Sequence, residues 1–294
     1  MSDSAVIDII SQLRKQDGTF SSQEQKVADH ILEDLEAAVH MNLKDIADAS
    51  KVSIATVNRF CQSLGCRGFK DFKIRLAQNV AVSLQYMRQP IDRAPFSDDL
   101  VNYIFDGLLN TLSGARSQLD SETLRTCIDI LAHCNRLVVI GVGGGSSNVA
   151  AESANRFFRL GISCQAISDG YQQRMVASTM GPEDVLFAIS ATGWPKELLD
   201  STAIARQYGA TTLALTQRAS PLAKACDVTI ALDNREDGDI YKPSPTRFVF
   251  NAVIDVLATG VARSRPNRSR ENLRRIRSSL TALHKQTGPH PVGD

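Results

Sequence analysis

The stretch NLKDIADASKVSIATVNRFCQSL, residues 42–64 of a 294-residue chain, carries two helical patterns with a short break between them. Leu43, Ile46 and Ala47 share one face of the first, and Asn42 stands where a side chain accepts from free N–H groups at a helix start. Ser50-Lys51-Val52 interrupts the period. Ser53 caps a second helix, in which Val57, Phe60, Cys61 and Leu64 recur at i, i+3, i+4 and i+7 as an inward stripe. Gly65 ends it, where a left-handed residue is easiest. At about 100° per residue, Ala55, Arg59 and Gln62 face the other way, with Asn58 at the edge. A short helix, a turn and a capped helix with an outward Arg, Asn and Gln make a helix-turn-helix suited to a major groove.

The same spacing also fits an ordinary helical hairpin with a solvated outer face. Charge placement separates the two readings. The first fifty residues hold Arg14, Lys15, Lys26 and Lys44 against ten acids, whereas residues 51–75 hold Lys51, Arg59, Arg67, Lys70, Lys73 and Arg75 against Asp71 alone. Positive charge on and just after the second helix is what phosphate contact requires. The expected DNA-contacting residues are Lys51, Ser53, Thr56, Asn58, Arg59, Gln62, Lys70 and Lys73. Among these, Arg59 is placed to read guanine, Asn58 or Gln62 adenine, and Lys51, Lys70 and Lys73 the phosphates.

The formal net charge of +1 says little, because the asymmetry is local. No apolar run is long enough to span a bilayer, and residues 1–15 have no signal-peptide core, so a cytoplasmic protein without membrane attachment is expected. Six scattered cysteines include no CxxC pair, and no histidine sits at metal-ligand spacing with a cysteine pair. They read as reduced, mostly buried thiols, with no metal site and no cofactor.

The rest of the chain falls into helical and mixed parts. Helices are expected at 5–13, from a Ser22 cap onward with Val27, Ile31 and Leu35 inward, and over 71–88 with Phe72, Leu76 and Val80 inward. Residues 89–96, with Pro90 and Pro95, read as a linker, and helices follow at 98–118 and 121–134. Strands are then expected at 136–140, 164–167, 185–189, 211–216 and 228–232. They alternate with helices at 148–160, 197–208, 221–225 and 247–263. This implies a doubly wound parallel sheet. The division is an all-α helix-turn-helix domain at 1–82, a linker and connecting helix at 83–120, an α/β sheet domain at 121–265 and a basic tail at 266–294, which itself reads as one more, solvated helix.

Two strands run into loops of Gly and hydroxyl residues, 141–147 and 190–193. Ligands of open α/β sheets bind beyond the carboxyl ends of strands, where helix N-termini present free N–H groups. Small residues let an anion approach the backbone, and hydroxyls add donors without charge. The expected ligand-binding residues are Gly143, Gly145, Ser146, Ser147, Ser190, Thr192 and Gly193. Tight strand-to-helix turns alone would look similar in either loop, less so in both. A dinucleotide site does not fit: Ser146 stands where the third Gly of GxGxxG belongs, and Asp169 comes too late for the ribose. No Gly-Lys-Ser/Thr follows for a Walker loop. Glu152, Glu197, Asp169 and His133 are the candidate acids and bases, but they form no acid–base or nucleophilic arrangement, so no catalytic residue is assigned.

The combination resembles the RpiR family of bacterial transcriptional regulators, whose second half is a sugar isomerase (SIS) domain used as a sugar-phosphate sensor. In the first half the likeness rests on Ala47 through Val57-Asn58-Arg59-Phe60-Cys61, Leu64-Gly65, Gly68-Phe69 and Phe72-Lys73. In the second it rests on the Gly loop, Ser190-x-Thr192-Gly193 with Lys196-Glu197-Leu198, and Ser220-Pro221-Leu222-Ala223. Gln173-Arg174-Met175, Asp239-Ile240-Tyr241 with Pro243, and the run 255–260 are similar to the HexR subgroup, regulators of hexose catabolism. The likeness carries ligand hydroxyls onto Ser146, Ser190 and Thr192. The chain departs from the family in an extra Gly in the first loop, in Pro195 where Thr or Ser is usual, and in Trp194 where a polar residue is usual. Pro supplies neither hydroxyl nor N–H.

The resemblance implies a regulator, not an enzyme, whose affinity for operator DNA changes with a phosphorylated sugar or sugar acid. 2-Keto-3-deoxy-6-phosphogluconate or a hexose phosphate is the implied effector. A sugar-phosphate isomerase with an accessory helical domain is the alternative, and a DNA-binding scaffold whose sheet has lost its ligand is a third. Two reading helices are needed for two half-sites, so a homodimer or tetramer is expected, with apolar helices at 100–112 and 248–261 as its surface.

Overall fold

The structure is a computed structural model and describes residues 8–14, 20–87, 98–233 and 241–284. The expected start of the first helix at 5–7, the linker at 89–96, the Asp239-Ile240 pair and the end of the tail lie outside the described residues. The chain divides into two compact units, the first with the helix-turn-helix and the second with the sheet.

In the first unit the helices are α1 (Ile9–Arg14), α2 (Ser22–Glu33), α3 (Leu35–His40), α4 (Leu43–Ala49), α5 (Ile54–Ser63) and α6 (Phe69–Met87). Local chemistry starts most of them. Ser21 forms a capping box with Glu24, one residue earlier than the expected Ser22 cap. Asp34 ends α2 and caps α3, so Leu35 opens a separate helix and does not extend the α2 stripe. Asn42 and Asp45 form a second capping box on α4, and Ser53 caps α5. Lys51 turns the chain between them at φ 55°, and Gly65 follows α5 at φ 73°. Val57, Phe60, Cys61, Leu64, Phe72, Leu76 and Val80 are all buried in one cluster, as the periodicity predicts. The Phe60 ring lies 5.4 Å from Phe20 and 6.0 Å from Phe72, centroid to centroid. That burial pushes the Cys61 thiol up to about 12.

The second unit begins with α7 (Asp98–Gln118) and α8 (Ser121–His133). The elements β1 (Arg136–Gly141), α9 (Gly143–Arg159), β2 (Ser163–Ile167), α10 (Gly170–Ala177), β3 (Asp184–Ser190), α11 (Lys196–Gln207), β4 (Thr211–Thr216), α12 (Pro221–Ala225) and β5 (Val228–Ala231) then alternate. Two helices, α13 (Thr246–Ser264) and α14 (Pro266–His284), close the unit. The strands are all parallel, in the order β2-β1-β3-β4-β5. Successive strand residues serve opposite faces. Leu137, Val139, Phe187 and Ile189 join a core with residues of α8, α9 and α13, whereas Val138, Ile140, Leu186 and Ala188 join one with residues of α10, α11 and α12. The result is the expected doubly wound α/β fold.

Two boundaries differ in ways that matter. Helix α9 begins at Gly143, five residues before the expected 148, so the glycines form its first turn. Gly141 permits this, because a Cβ there would lie 2.6 Å from the Ser146 carbonyl oxygen. The basic segment after Pro266 is a helix packed on its own unit: Ser269 is buried, Leu273 packs on the core, and Arg268 donates to the Gly161 carbonyl at 2.7 Å.

Candidate functional site

The order β2-β1-β3 makes β1 and β3 neighbours while the chain leaves them to opposite sides, with Gly141 beside Ile189 in register. This is the switch point at which such sheets hold ligands. A cavity of about 420 Å³ opens there. Gly143, Gly144, Gly145 and Ser146 line it from α9, Ser190, Ala191, Thr192 and Pro195 from the end of β3, and Ser244, Thr246, Arg247 and Phe250 from the start of α13. Its volume is in the range of small-molecule sites.

Backbone polarity at this cavity is arranged for an anion. Val142, Pro195 and Pro245 are the N-cap residues of α9, α11 and α13, and none of them provides a side-chain cap. At α13 the Ser244 hydroxyl accepts from the Thr246 N–H at 3.3 Å. Uncapped N-termini carry unsatisfied N–H groups and the positive end of the helix dipole. The hydroxyls are held in place by the backbone. Ser190 Oγ accepts from the Gly193 N–H at 2.9 Å, Ser146 Oγ from the Ala191 N–H at 3.3 Å, and Thr192 Oγ1 from the Trp194 N–H at 3.4 Å. Ser146 therefore bridges the two loops.

Gly143, Gly145, Ser146, Ser190 and Thr192 meet at the cavity as the sequence predicts; Ser147 and Gly193 are not in its lining. The Ser147 hydroxyl donates back to the Gly143 carbonyl inside α9, a consequence of the early helix start. Gly193 serves the turn instead. It sits at φ 70°, where a Cβ would lie 2.7 Å from Thr216 Oγ1. Sequence reasoning missed Ser244, Thr246 and Arg247. The available signal was the run Pro243-Ser244-Pro245-Thr246-Arg247, two hydroxyls and a cation at a helix start. Arg247 is the cationic side chain of the lining. Its Nη1 donates to the Ser244 carbonyl at 2.8 Å, and its guanidinium lies 4.5 Å from the Phe248 ring centre.

In the first unit, Arg59, Gln62, Lys51 and Lys70 are exposed and Asn58 is half-buried, on the outward side of α5 and its flanks. Arg59 lies within electrostatic reach of Glu24, whose carboxyl is held below its usual range chiefly by the Ser21 hydroxyl and N–H. Ser53 and Thr56 are engaged with each other. The Ser53 hydroxyl accepts from the Thr56 N–H at 3.1 Å, the two hydroxyl oxygens are 2.9 Å apart, and Thr56 is buried. Lys73 also departs from the expected phosphate contact. Its ammonium donates to the Ala38 carbonyl at 3.0 Å and to the Met41 carbonyl, where it closes the end of α3. Burial pulls its pKa down. The nearby Asp71 carboxyl is held low by the Arg67 N–H and the Arg75 guanidinium.

Two family models match the chain: a helix-turn-helix domain of the rpiR family over residues 7–83 and a SIS domain over 130–258. The HTH-type transcriptional regulator HexR of Escherichia coli K12 is 34% identical over 274 residues, 93% of this chain and 94% of its own. HexR of Pseudomonas aeruginosa is 34% identical over 92% of this chain and 95% of its own. A bifunctional protein glk of Burkholderia thailandensis, 34% identical over 90% of this chain, is a longer protein of which only 41% is matched. Among solved structures, the Vibrio vulnificus NanR protein complexed with ManNAc-6P has a TM-score of 0.59 at 23% identity, covering 93% of this chain and 98% of its own.

Proposed function

We infer, for a chain that belongs to the RpiR family of helix-turn-helix regulators, that a phosphorylated sugar or sugar acid in the switch-point cavity sets its affinity for operator DNA. The HexR relatives, matched over more than nine-tenths of both chains, make it a DNA-binding transcriptional regulator of sugar metabolism. The effector reading goes further and rests on the cavity. The uncapped N-termini of α9 and α11 and the hydroxyls of Ser146, Ser190 and Thr192 suit a phosphate, and Arg247 adds a separate cation. A ligand with a phosphate at one end and a carboxylate at the other uses both features. This favours 2-keto-3-deoxy-6-phosphogluconate over a hexose phosphate.

An aldose–ketose isomerase would need a base to move a proton between carbons. The lining named above contains no Asp, Glu or His among the described residues, which favours a sensor over an enzyme. No described helix is long and apolar enough to cross a membrane. Assembly as a homodimer, or as a tetramer made from two dimers, is supported by Val101, Phe105 and Leu109, which form an exposed apolar stripe on α7 at i, i+4 and i+8.

The test is a thermal-shift panel of 2-keto-3-deoxy-6-phosphogluconate, 6-phosphogluconate, glucose 6-phosphate and inorganic phosphate, paired with titration of DNA from upstream of the gene. The expected result is stabilisation by the sugar acid phosphates above inorganic phosphate, with a matching change in DNA affinity. Arg247→Ala is expected to erase the preference for the acids. Steady turnover of a sugar phosphate would decide for the isomerase. A monomer by light scattering that still binds one operator tightly would remove the dimer.

A further inference from the structure

Helix α7 carries a glycine, Gly107, well inside its 21 residues, where Gly is less favourable than Ala by roughly 1 kcal/mol. An alanine there would meet only the end of a lysine side chain and would push it aside. A Cβ on Gly107 would lie 2.5 Å from Lys242 Nζ and 3.1 Å from its Cε. Lys242 is half-buried, and its ammonium sits 4.4 Å from the centre of the Tyr103 ring, one turn earlier on the same face. One turn later the Thr111 hydroxyl donates to the Gly107 carbonyl at 2.7 Å. Tyr103 and Gly107 thus form a notch along α7 that receives a lysine from far along the chain. Gly114, on the same helix, has nothing within 4 Å of its Cβ position.

Lys242 begins the segment Lys242-Pro243-Ser244-Pro245-Thr246-Arg247, which runs directly into the cavity lining. Two prolines fix φ at alternate positions, so the segment is stiff. Arg247 tightens it further through its bond to the Ser244 carbonyl. A stiff segment of this kind would carry a displacement of Ser244 or Arg247 to Lys242. At that end lies α7, the first helix of the second unit.

We propose that Lys242, seated in the Tyr103–Gly107 notch, positions this strap at the cavity and is the contact through which an occupied cavity changes operator binding. The proposal rests on the effector reading above for its second half only. A ligand alters DNA affinity only if it favours one arrangement of the molecule over another, and on this proposal the two differ in whether the strap is seated on α7, as it is here, or released.

The experiment compares full-length wild type, Lys242→Met, Gly107→Ala and Gly114→Ala. Amide hydrogen exchange without ligand tests the seat itself. Exchange across residues 246–250 is expected to rise about tenfold in Lys242→Met and Gly107→Ala and to stay at the wild-type rate in Gly114→Ala. Unchanged exchange in both of the first two overturns the proposal. The second arm titrates 2-keto-3-deoxy-6-phosphogluconate, following Trp194 fluorescence for occupancy and operator titration for response. Both variants are expected to take the probe while its effect on operator affinity falls to within about twofold of none. Variants that bind the probe and respond like wild type also overturn the proposal. A wild type in which no member of the panel changes Trp194 emission counts against the effector reading, and hydrogen exchange then decides the seat alone.

Discussion

The helix starts of the two units differ in what fills them. In the first, Ser21, Asp34, Asn42 and Ser53 each accept from the N–H groups of their own helix. In the second, α10 and α12 are closed in the same way by Asp169 and Ser220, but α9 and α11 are not. The two without caps follow β1 and β3, the neighbouring strands at the switch point. The same backbone groups thus serve either stability or binding. An N–H satisfied by its own side chain holds a helix in place, and one left without a cap beside a cavity is available to an anion.

The harshest way to break this comparison is at Gly141. Gly141→Ala places a Cβ against the Ser146 backbone carbonyl, which cannot move without unseating the first turn of α9. The expected loss is about 1–3 kcal/mol of stability in the second unit, with loss of the sugar-acid response. Gly144→Ala is the control for stability alone, since nothing lies within 4 Å of its Cβ position but the residue lines the cavity. A Gly141→Ala variant that melts with wild type would mean α9 does not need its close approach. Next come Ser190→Ala and Thr192→Ala, each expected to weaken the ligand by about 1.5–3 kcal/mol, roughly 10- to 150-fold. Ser190→Ala is the worse of the two because the Gly193 N–H it leaves without an acceptor is buried, whereas the Trp194 N–H left by Thr192→Ala is exposed. Operator binding without ligand is expected to be unchanged in both, read by paired operator titrations with and without the sugar acid phosphate.

The contrast also explains what the sequence made legible. Helix starts with their own caps announce themselves in a few adjacent residues, so Asn42 and Ser53 are readable directly. Where the cap is missing the signal is missing too. The start of α9 is read five residues late, because Gly143-Gly144-Gly145 looks like a loop by propensity, and only the approach of Ser146 to Gly141 makes it a helix. The strands were legible from their β-branched runs, and the switch point from the Gly and hydroxyl residues that end β1 and β3. Arg247 was not, since only tertiary packing brings the start of α13, more than fifty residues after Ser190, to the same cavity. Lys73 shows the converse failure. Charge placement cannot distinguish a lysine that reaches outward from one that closes the end of a neighbouring helix.

Arg59 and Lys70 sharpen the comparison from the other unit. Arg59→Ala is expected to lose about 1–3 kcal/mol on the operator and less on random DNA. Lys70→Ala is expected to weaken both alike and reduce the salt slope by about one. Lys73→Met is expected to leave that slope alone and lower the stability of the first unit, because its loss frees the Ala38 and Met41 carbonyls. Equal losses on operator and random DNA for Arg59→Ala would make it a phosphate contact.

The smallest effect tests the caps themselves. Asn42 accepts from the Lys44 N–H at 2.8 Å and the Asp45 N–H at 3.0 Å, while the Asp45 carboxylate accepts from the Asn42 N–H at 2.9 Å. Helix α4 has seven residues, too few to hold its shape without such help. Asn42→Ala is therefore expected to destabilise the first unit by about 1 kcal/mol, and Asn42→Asp, which keeps an acceptor, by much less. Two probes separate the units. Trp194 is the only tryptophan and lies in the second, so its fluorescence in urea follows the sheet, whereas far-ultraviolet circular dichroism follows the helices of both. Asn42→Ala is expected to bring the circular dichroism transition to lower urea and leave the Trp194 transition in place. If the two shift together, the units unfold as one, and the closed helix starts of the first stabilise the second as well.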